Sequence, residues 1–532
     1  MARDAVESFI DCVERAFVPL IYQGQMIAPV NGLAISRSPL ATQFRNQVAT
    51  MYNLLVIAQF ASTGTENKLK EAVKYWMRQN PNYYLSNTRN YNELLMIISL
   101  LNDSAIKGDQ LPFVGTKMYA SMDRFVQQTP KYMLALSLYS KRISAYEAGN
   151  KENKRGWHTA DGAMYLYNYD NLQFGDSYWP TVDPYRLPGT TVDTRYLNDE
   201  VADYSDFMSN EEWVGGVANS NQAVVGMALN KEGFKSNWRP LAMDLKGKKS
   251  WFIVEGQIIA LGAGITGSTE ATIETIVENR LLGDLYGNKV LSNSQEITST
   301  SAGIDADWLL LESGNNNLSI GYYFPDGENV DVIYDARSGN YMYINEATPA
   351  VDYYGRYAKF IINHGQSPVD AKYAYVILPG IKQDELKEYV ESQPVQILEN
   401  SAQIQAVQLI NEGYLGINVW SETGGTIEGI SSDMPVSLMR QTHDYIDTYV
   451  VSDPTQSDRV VTIKIPDFSK VATMSEGVYY DVKNNAFTVD FTNDRGASKQ
   501  FTVYNEVNNF WPYTSMKLDQ KDDDMFPDTF DQ

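Results

Sequence analysis

The sequence predicts an α+β chain that is mainly β, with a helical N-terminal part followed by large antiparallel sheets. Apolar residues up to about position 105 repeat with helical periodicity, whereas short apolar runs beyond about position 110 alternate with Gly, Asn, Asp and Pro clusters. The length of 532 residues exceeds what one hydrophobic core usually serves. Roughly two to four domains are therefore expected.

The helical part begins with an apolar stripe formed by Phe9, Ile10, Val13 and Phe17. Stripes of the same spacing follow at Phe44, Val48, Met51, Tyr52 and Leu55, at Leu69, Val73, Trp76 and Met77, and from Leu94 to Leu101. These stripes predict stacked helical hairpins. Because the first stripe starts almost at Met1 and needs neighbours to bury it, residues 1–108 are expected to be the last part of a larger helical array.

The β-rich part follows from runs of strand-forming residues. They lie at Trp251–Val254, Ile258–Leu261, Trp308–Leu311 and Tyr373–Leu378, and two alternating runs lie at Val461–Ile465 and Phe487–Phe491. The charged stretch Lys382–Gln405 predicts a boundary between a large and a small β domain. We therefore expect domains at 1–108, 109–395 and 396–532, the last ending in an acidic segment, 519–532.

Charge and composition exclude several functions. The formal net charge of -23 argues against a nucleic-acid partner, because phosphate recognition depends on concentrated Lys and Arg. No run approaches the ~18 to 20 apolar residues of a membrane span, so no membrane partner is expected. The first residues are acidic where a signal peptide is basic, so no export signal is expected on this chain. The single cysteine, Cys12, excludes an internal disulfide framework.

An acidic polysaccharide would need a locally basic surface on so acidic a chain. One basic stretch contains the cations Lys141, Arg142, Lys151, Lys154 and Arg155 against only two acidic residues, Glu147 and Glu152. Such a stretch is either the wall of an anion-binding cleft or a solvated loop, and the sequence leaves both interpretations open.

The most specific block of the sequence is 150–168, NKENKRGWHTADGAMYLYN, which is followed at 178–191 by YWPTVDPYRLPGTT. Further matching stretches are 137–147, 249–264, 277–281 and 364–380. In this order the blocks resemble the polysaccharide lyases that include hyaluronate, chondroitin AC and xanthan lyases, known as polysaccharide lyase family 8. The resemblance covers most of residues 15–470.

The resemblance implies an α/α toroid, here partial, then an antiparallel β super-sandwich of the galactose-mutarotase-like type and a smaller C-terminal β-sandwich. Substrate would lie in a cleft between the toroid and the β domain. The implied chemistry is β-elimination at a uronic acid, in which an Asn and a His neutralise the carboxylate and a Tyr transfers protons. This scheme needs no metal and no organic cofactor.

Residues 32–37, GLAISR, match a motif of the family that reads Gly-Arg-Ser-Ile-Ser-Arg or similar. The family's catalytic Asn, His and Tyr precede this motif, so the segment that carries them is expected to be missing from this chain. The first arginine of the motif is Leu33 here. Leucine cannot donate the hydrogen bond that the resemblance places beside the catalytic Tyr.

Four candidate site residues are carried over from the resemblance. Glu147 matches the family's Glu that orients an arginine or the catalytic Tyr, and it is the candidate catalytic residue. Because position 33 is leucine, Glu147 can pair with Arg37 instead. Arg37 matches the second arginine of the motif and is expected to bind acidic sugar, the alternative being a surface arginine at a helix end. Asn150 and Asn153 are the other candidate substrate-binding residues.

Three further features favour structural interpretations. His158, His364 and His443 lack the spacing of a metal site, and no nucleophile elbow accompanies them. The tyrosines of 165–169 alternate with period two, which favours a buried strand face over sugar stacking. The Asp522–Asp524 run lacks the spaced ligands of a calcium loop.

The implied function is cleavage of an acidic polysaccharide of hyaluronan, chondroitin or xanthan type. This chain would be the carbohydrate-binding portion and inactive alone. It would be a gene fragment, an inactive descendant, or one subunit of a two-chain lyase whose partner is the missing toroid half. The alternative function is a non-catalytic carbohydrate-binding or scaffold protein, which Leu33 favours. The intact protein is expected to be extracellular or at the cell surface.

Overall fold

The computed structural model describes residues 3–38, 43–168, 173–199, 207–236, 239–254, 256–268, 270–283 and 287–505. The predicted acidic segment 519–532, the Asp522–Asp524 run within it and Tyr169 lie outside these residues. The described part of the chain is mainly β, and every strand pair in it is antiparallel. The predicted fold class is confirmed.

The first hundred residues are helical. The helices are α1 (Arg3–Cys12), α2 (Gln43–Ala58), α3 (Thr63–Gln79), α4 (Pro81–Ser86) and α5 (Tyr91–Asn102), with a π-helical turn at Val13–Phe17 and 3₁₀ turns at Val18–Leu20, Ala28–Val30 and Gly32–Ser36. Asparagine side chains cap two of these helices. Asn80 accepts from the Tyr83 N–H at 3.3 Å, and Asn90 accepts from the Glu93 N–H at 3.0 Å.

Three of the predicted apolar stripes are described in full, and in the one from Leu94 to Leu101 only Ile97 and Leu100 are buried, while Leu95 and Ile98 are exposed. In α3 the predicted stripe is confirmed, because Leu69, Val73, Trp76 and Met77 are all buried. In the first stripe the prediction is half wrong. Ile10 and Val13 are buried, but Phe9 and Phe17 are 55% and 50% exposed. Phe17 ends the π-helical segment Val13–Phe17, whose period differs from that of the predicted α-helical stripe.

The β part begins with a four-stranded sheet, β3-β4-β5-β6, after a short hairpin of β1 and β2 in the helical part. The strands are β1 (Ile21–Tyr22), β2 (Gln25–Met26), β3 (Gly115–Tyr119), β4 (Arg124–Gln128), β5 (Met133–Ser137) and β6 (Ala163–Tyr167). Tyr165 on β6 is buried, and Tyr167 packs against Phe174, so the predicted core role of these two tyrosines is confirmed.

A twelve-stranded antiparallel assembly of described strands follows. Its strands are β7 (Thr191–Asp193), β8 (Val214–Asn219), β9 (Gln222–Asn230), β12 (Lys246–Val254), β13 (Gln257–Thr266), β14 (Thr272–Leu282), β15 (Lys289–Ser292), β16 (Gln295–Ile297), β17 (Ser301–Glu312), β18 (Ile320–Asn340), β19 (Asp352–Gln366) and β20 (Ala371–Pro379). The same part of the chain contains a separate hairpin of β10 (Lys235–Ser236) and β11 (Arg239–Pro240). It also contains the helices α6 (Tyr178–Thr181), α7 (Tyr341–Ile344) and α8 (Gln383–Ser392). The central order is β16-β15-β17-β18-β20-β13-β12-β9-β8, and β19 joins β18 to β14, which also pairs with β7.

The C-terminal part is a smaller sandwich of two sheets. Its strands are β21 (Gln396–Asn400), β22 (Ile404–Leu409), β23 (Tyr414–Val419), β24 (Gly425–Ile427), β25 (Ile430–Ser432), β26 (Val436–His443), β27 (Ile446–Ser452), β28 (Val460–Lys464), β29 (Phe468–Met474), β30 (Val478–Asp481), β31 (Ala486–Asp490) and β32 (Lys499–Asn505). The inner faces meet in one core that includes Val461, Phe487 and Phe501. The alternating runs predicted at 461–465 and 487–491 are indeed half-buried strands.

The helical part is fixed to the four-stranded sheet by hydrogen bonds from the β side. The Tyr119 hydroxyl donates to the Ala16 carbonyl at 2.9 Å, the Arg124 Nε donates to the Pro29 carbonyl at 3.0 Å, and the Tyr167 hydroxyl accepts from the Ala28 N–H at 2.9 Å. A shared core includes Ile35 from the helical part and Trp179 from α6. The Gly32–Ser36 turn is therefore held directly against the β part.

Among the described residues, none of the helices is both long and apolar enough to span a bilayer.

Candidate functional site

The motif at 32–37 forms a 3₁₀ turn at the junction of the helical and β parts. Ile35 and Ser36 are buried, and Arg37 follows in extended conformation with φ -90° and ψ 131°. Because two apolar or small residues anchor the turn, Arg37 is presented at its edge. Its side chain is 42% exposed.

The opposite wall is the loop from Glu147 to Arg155, which is folded by left-handed residues. Asn150, Lys151 and Asn153 have φ values of 50°, 62° and 57°, which asparagine tolerates better than most residues. Backbone bridges join Glu152 to Gly149 and to Asn345, next to α7. The loop is thus a fixed turn between the motif and α7.

Ser36 joins the two walls. Its hydroxyl donates to the Leu33 carbonyl at 2.8 Å and accepts from the Asn153 N–H at 3.0 Å. The Asn345 amide lies 3.4 Å from the same oxygen. Because Ser36 is fully buried, these bonds lock the motif to the loop.

Ser36→Ala is expected to lower the free energy of unfolding by ~1–3 kcal/mol, because it leaves the buried Asn153 N–H without its acceptor. Urea unfolding of the wild type and the variant measures this change. Ser392→Ala is the control, since it removes an exposed hydroxyl that donates to the Tyr389 carbonyl. It should change stability by less than ~0.5 kcal/mol. Equal midpoints for Ser36→Ala and the wild type would contradict the locking role.

Glu147 lies directly against the motif. Its Oε2 accepts from the Leu33 N–H at 3.0 Å. A Cβ on Gly32 would lie 2.0 Å from the same oxygen, so glycine is needed for this approach. The carboxylate is exposed, and it therefore faces the cleft while it is oriented by the backbone of the motif.

The structure corrects the pairing of Arg37 with Glu147. The Arg37 Nε donates to Glu152 Oε2 at 2.9 Å instead. The reason is that the Leu33 N–H already holds Glu147, while the turn at Asn150 and Lys151 brings Glu152 back towards Arg37. The sequence reasoning did not identify Glu152 as the partner of Arg37. Its position two residues after the candidate Asn150 was the one available indication that it lies near the site.

The two candidate asparagines have different surroundings. Asn150 is exposed at the tip of the loop. Asn153 is 4% exposed, and its side-chain amide donates to the Glu147 carbonyl at 2.7 Å. Asn153 therefore shapes the loop that carries Glu147, and direct contact with a ligand stays a prediction for both asparagines.

The basic stretch is neutralised by acidic neighbours. The ion pairs are Lys141–Glu212, Arg142–Asp123, Lys151–Glu346, Lys154–Glu346 and Arg155–Asp199, with N···O distances of 2.8–3.1 Å. Hydrogen bonds from Lys151 and then Lys154 lower the pKa of Glu346. Because each of the five cations has a carboxylate partner, these ion pairs favour a structural loop over the wall of an anion-binding cleft.

A cleft of about 310 Å³ lies between the motif and the first β sheet. Its lining includes Gly32, Ile35, Arg124, Glu147 and Asn153. The cleft can hold a small polar ligand beside the oriented Glu147 carboxylate. Arg37 and Asn150 lie outside this lining, and their partly exposed guanidinium and exposed amide can bind a carboxylate and sugar hydroxyls, respectively.

Two of the three histidines make local side-chain contacts, and neither lines this cleft. His158 is buried with its Nδ1 2.6 Å from Asp161 Oδ2, and the His364 Nε2 lies 2.8 Å from the Thr275 hydroxyl. Burial lowers the pKa of both rings, that of His364 to about 4. Both are neutral structural residues at pH 7.

Sequence models of one family match three consecutive parts of the chain. They are the N-terminal alpha-helical domain of polysaccharide lyase family 8 at residues 1–75, its super-sandwich domain at residues 114–390 and its C-terminal beta-sandwich domain at residues 396–462. Together the three models match more than half of the chain.

Two curated relatives give the same picture. The hyaluronate lyase HylB of Enterococcus faecalis is 55% identical over 94% of this chain, and the match covers 50% of that relative. The xanthan lyase of a Bacillus species is 34% identical over 90% of this chain and 51% of the relative. The chain thus spans about half the length of these relatives.

Solved structures agree with the fold. Paenibacillus xanthan lyase superposes with a TM-score of 0.86 and 30% identity, covering 93% of this chain and 47% of that chain. The chondroitin AC lyase of Streptomyces coelicolor in complex with chondroitin sulphate superposes with a TM-score of 0.80 and 26% identity, and the match covers 93% of this chain and 65% of that chain. With the domain order α-helical, super-sandwich and β-sandwich found in both sequence and structure, the chain belongs to polysaccharide lyase family 8.

Proposed function

We propose that this chain forms part of a polysaccharide lyase that cleaves a uronic-acid polysaccharide by β-elimination, in the cleft between its helical and β parts. The observation that carries the proposal is the locked pair of walls, with Arg37 on one and Glu147 and Asn150 on the other. In the reaction a base removes the proton from C5 of the uronate, a C4=C5 double bond forms as the C4–O bond to the leaving sugar breaks, and the leaving oxygen takes up a proton. The product is an unsaturated uronate.

The roles of the residues follow from their surroundings. Arg37 is held at Nε by Glu152, so its Nη side can bind the uronate carboxylate and withdraw charge from C5. Asn150 can hydrogen-bond sugar hydroxyls. Glu147 is fixed by the Leu33 N–H and can orient a catalytic group or a substrate hydroxyl. The substrate is of hyaluronan, chondroitin or xanthan type, as the names of the relatives suggest, and the site of action is outside the cell.

The exposed apolar side chains of the helical part belong to the same proposal. Phe9, Phe17, Leu95 and Ile98 are each at least 39% exposed. We propose that further toroid helices cover them, either within the same protein or from a second chain. Co-purification of this chain with a helical segment supplied in trans would test the second arrangement.

A non-catalytic carbohydrate-binding or scaffold function is the second candidate, and Leu33 favours it, because its side chain cannot donate to a catalytic group. Incubation of this chain, together with the helical segment supplied in trans, with hyaluronan, chondroitin sulfate and xanthan separates the two, because the chain alone is expected to be inactive under either. Ultraviolet absorbance of an unsaturated uronate would support the lyase, whereas binding without product would support the second candidate. If no product forms and no polysaccharide binds, both candidate functions are contradicted.

Arg37→Ala and Asn150→Ala are each expected to weaken binding of a uronate-containing tetrasaccharide. Loss of a charge-assisted bond at Arg37 should cost ~1.5–3 kcal/mol, and loss of a neutral bond at Asn150 ~0.5–1.5 kcal/mol. Calorimetric titration measures both, and added salt should weaken binding to the wild type. Lys131→Gln, at an exposed lysine outside the cleft lining, is the control. Unchanged affinity in both variants would place the site elsewhere.

A further inference from the structure

Arg124 lies at the inner end of the cleft and has no carboxylate partner among the described residues. It is the first residue of β4, beneath the turn at Ala28–Val30. Its guanidinium donates to four carbonyls, those of Pro29, Met122, Asp123 and Leu138, at 2.7–3.2 Å. These bonds fix the position of the guanidinium, and the adjacent Asp123 carboxylate attracts its charge without forming a salt bridge with it.

The neighbouring carboxylate is committed elsewhere. Asp123 is fully buried and pairs with Arg142 at 3.1 Å. Burial of the Arg124 guanidinium is the main cause that lowers its pKa. Proteins usually give a buried cation a counter-charge, because removing it from water is costly. Here the Nε and Nη1 atoms make the four carbonyl bonds, and no hydrogen bond of the Nη2 atom is found among the described residues.

The lining of the cleft suits a sugar acid. The polar residues Ser137, Ser144 and Thr159 line it together with the exposed Glu147. A carboxylate alone would be repelled by Glu147, whereas a uronate can place its carboxylate on Arg124 and donate a hydroxyl to Glu147. The volume of about 310 Å³ lies within the ~300–1,000 Å³ typical of small-molecule sites.

We propose that this inner part of the cleft, the Arg124 pocket, is a separate subsite for one uronate residue, with Arg124 as the carboxylate ligand and Glu147 as the hydroxyl acceptor. The proposal rests on the proposed function for its polysaccharide context. It adds to that function a second acidic-sugar contact, distinct from the one at Arg37. Binding at this subsite would help to choose between polysaccharides with and without a uronate at the corresponding position.

Methyl NMR with the full chain and two monosaccharides tests the Arg124 pocket. The methyl groups of Met122 and Ile35 line the cleft and serve as probes. At constant ionic strength, glucuronate is expected to shift them saturably, while glucose, which lacks the carboxylate, is not. Arg124→Gln should weaken glucuronate binding by about 10-fold or more, the effect of losing a charge-assisted hydrogen bond. Lys131→Gln carries the same charge change outside the cleft lining and should behave as the wild type.

Three outcomes would overturn the proposal: no saturable shift with glucuronate, equal shifts with glucose, or an unchanged affinity in Arg124→Gln. Because Arg124 also holds the Pro29 carbonyl, that variant could fold poorly. Ile143→Trp then decides, since it fills the cleft from a half-buried position without touching a charge. It should abolish the glucuronate shifts, and their survival would count against the pocket.

The tetrasaccharide separates this proposal from the proposed function. If Arg37→Ala weakens tetrasaccharide binding while Arg124→Gln and Ile143→Trp do not, the Arg124 pocket is wrong and the proposed function stands. If glucuronate binds in the pocket but no tetrasaccharide binds, the subsite stands and the proposed function fails.

Discussion

Asp161→Asn is expected to lower the free energy of unfolding by ~3–5 kcal/mol, the cost of breaking a buried ion pair by removing one partner. Asp161, Lys231 and His158 are each at most 1% exposed. The Lys231 ammonium contacts Asp161 Oδ2, and the His158 Nδ1 lies 2.6 Å from the same oxygen. Asparagine keeps the shape of the side chain but leaves the Lys231 charge buried without a counter-charge.

The pKa of Asp161 describes the same balance. Burial opposes its ionisation, but the Lys231 charge and the His158 hydrogen bond outweigh burial and lower the pKa to about 2. The unfolded carboxyl has a pKa of 3.8, so this stabilisation is present above pH 3.8 and is lost as the pH falls towards 2. The expected difference between the wild type and Asp161→Asn is therefore constant near neutral pH.

Urea unfolding followed by tryptophan fluorescence measures this difference. Asp199→Asn is the matched control, because it makes the same substitution in the partly exposed pair with Arg155, at 2.8 Å. Such a pair contributes ~0.2–1 kcal/mol. If the two variants lost equal stability, the buried cluster would not hold the super-sandwich together as described.

The fold was predictable because its signals are local and repeated. The period of the apolar stripe in α3 and the alternation at 461–465 each describe one face of one element, and both faces are buried as predicted. The buried face of the first helix was harder to predict. The stripe from Phe9 to Phe17 continues at the same period, and only the π-helical turn at Val13–Phe17, which depends on tertiary packing, takes Phe17 off the buried face.

The site was predictable only in part, because its geometry depends on left-handed turns. Of the residues that the matching motifs indicated, Glu147 and Asn153 line the cleft, while Arg37 and Asn150 lie outside its lining. No periodicity indicates that Asn150 and Lys151 turn the chain so that Glu152 reaches Arg37. Because Arg37 pairs with Glu152, the Glu147 carboxylate accepts its hydrogen bond from the Leu33 N–H of the motif instead.

Ser36 and Arg124 show a second limit of sequence reasoning. A serine inside an apolar turn gives no signal of its three partners, two of which lie more than a hundred residues away. Arg124 stands at the start of a strand, where an exposed arginine is the ordinary expectation. Only the packing of the Ala28–Val30 turn over β4 makes it a half-buried cation at the cleft.

The second large effect concerns Lys249, whose stability contribution is expected to change with pH. Its side chain is 1% exposed on β12, and its ammonium donates to the carbonyls of Gly189 at 2.6 Å and Asp161 at 3.1 Å. It also lies 5.5 Å from the centre of the Trp251 ring. Since the Asp161 carboxylate is bound by Lys231, burial dominates and lowers the pKa of Lys249 to about 7 from its ordinary 10.5.

Between pH 7 and pH 10.5 the unfolded chain therefore binds a proton at Lys249 that the folded chain does not. Wild-type stability should rise with pH in this window relative to Lys249→Met, by roughly 2 kcal/mol from pH 7 to pH 9 at about 1.4 kcal/mol per unit. Below pH 7 the difference should level off. Urea unfolding of both proteins across pH 6–9 measures it, with Lys131→Met as the exposed-lysine control. Parallel stability curves for the wild type and Lys249→Met would show that Lys249 keeps its proton throughout, and that its two carbonyl partners and Trp251 stabilise the ammonium against burial.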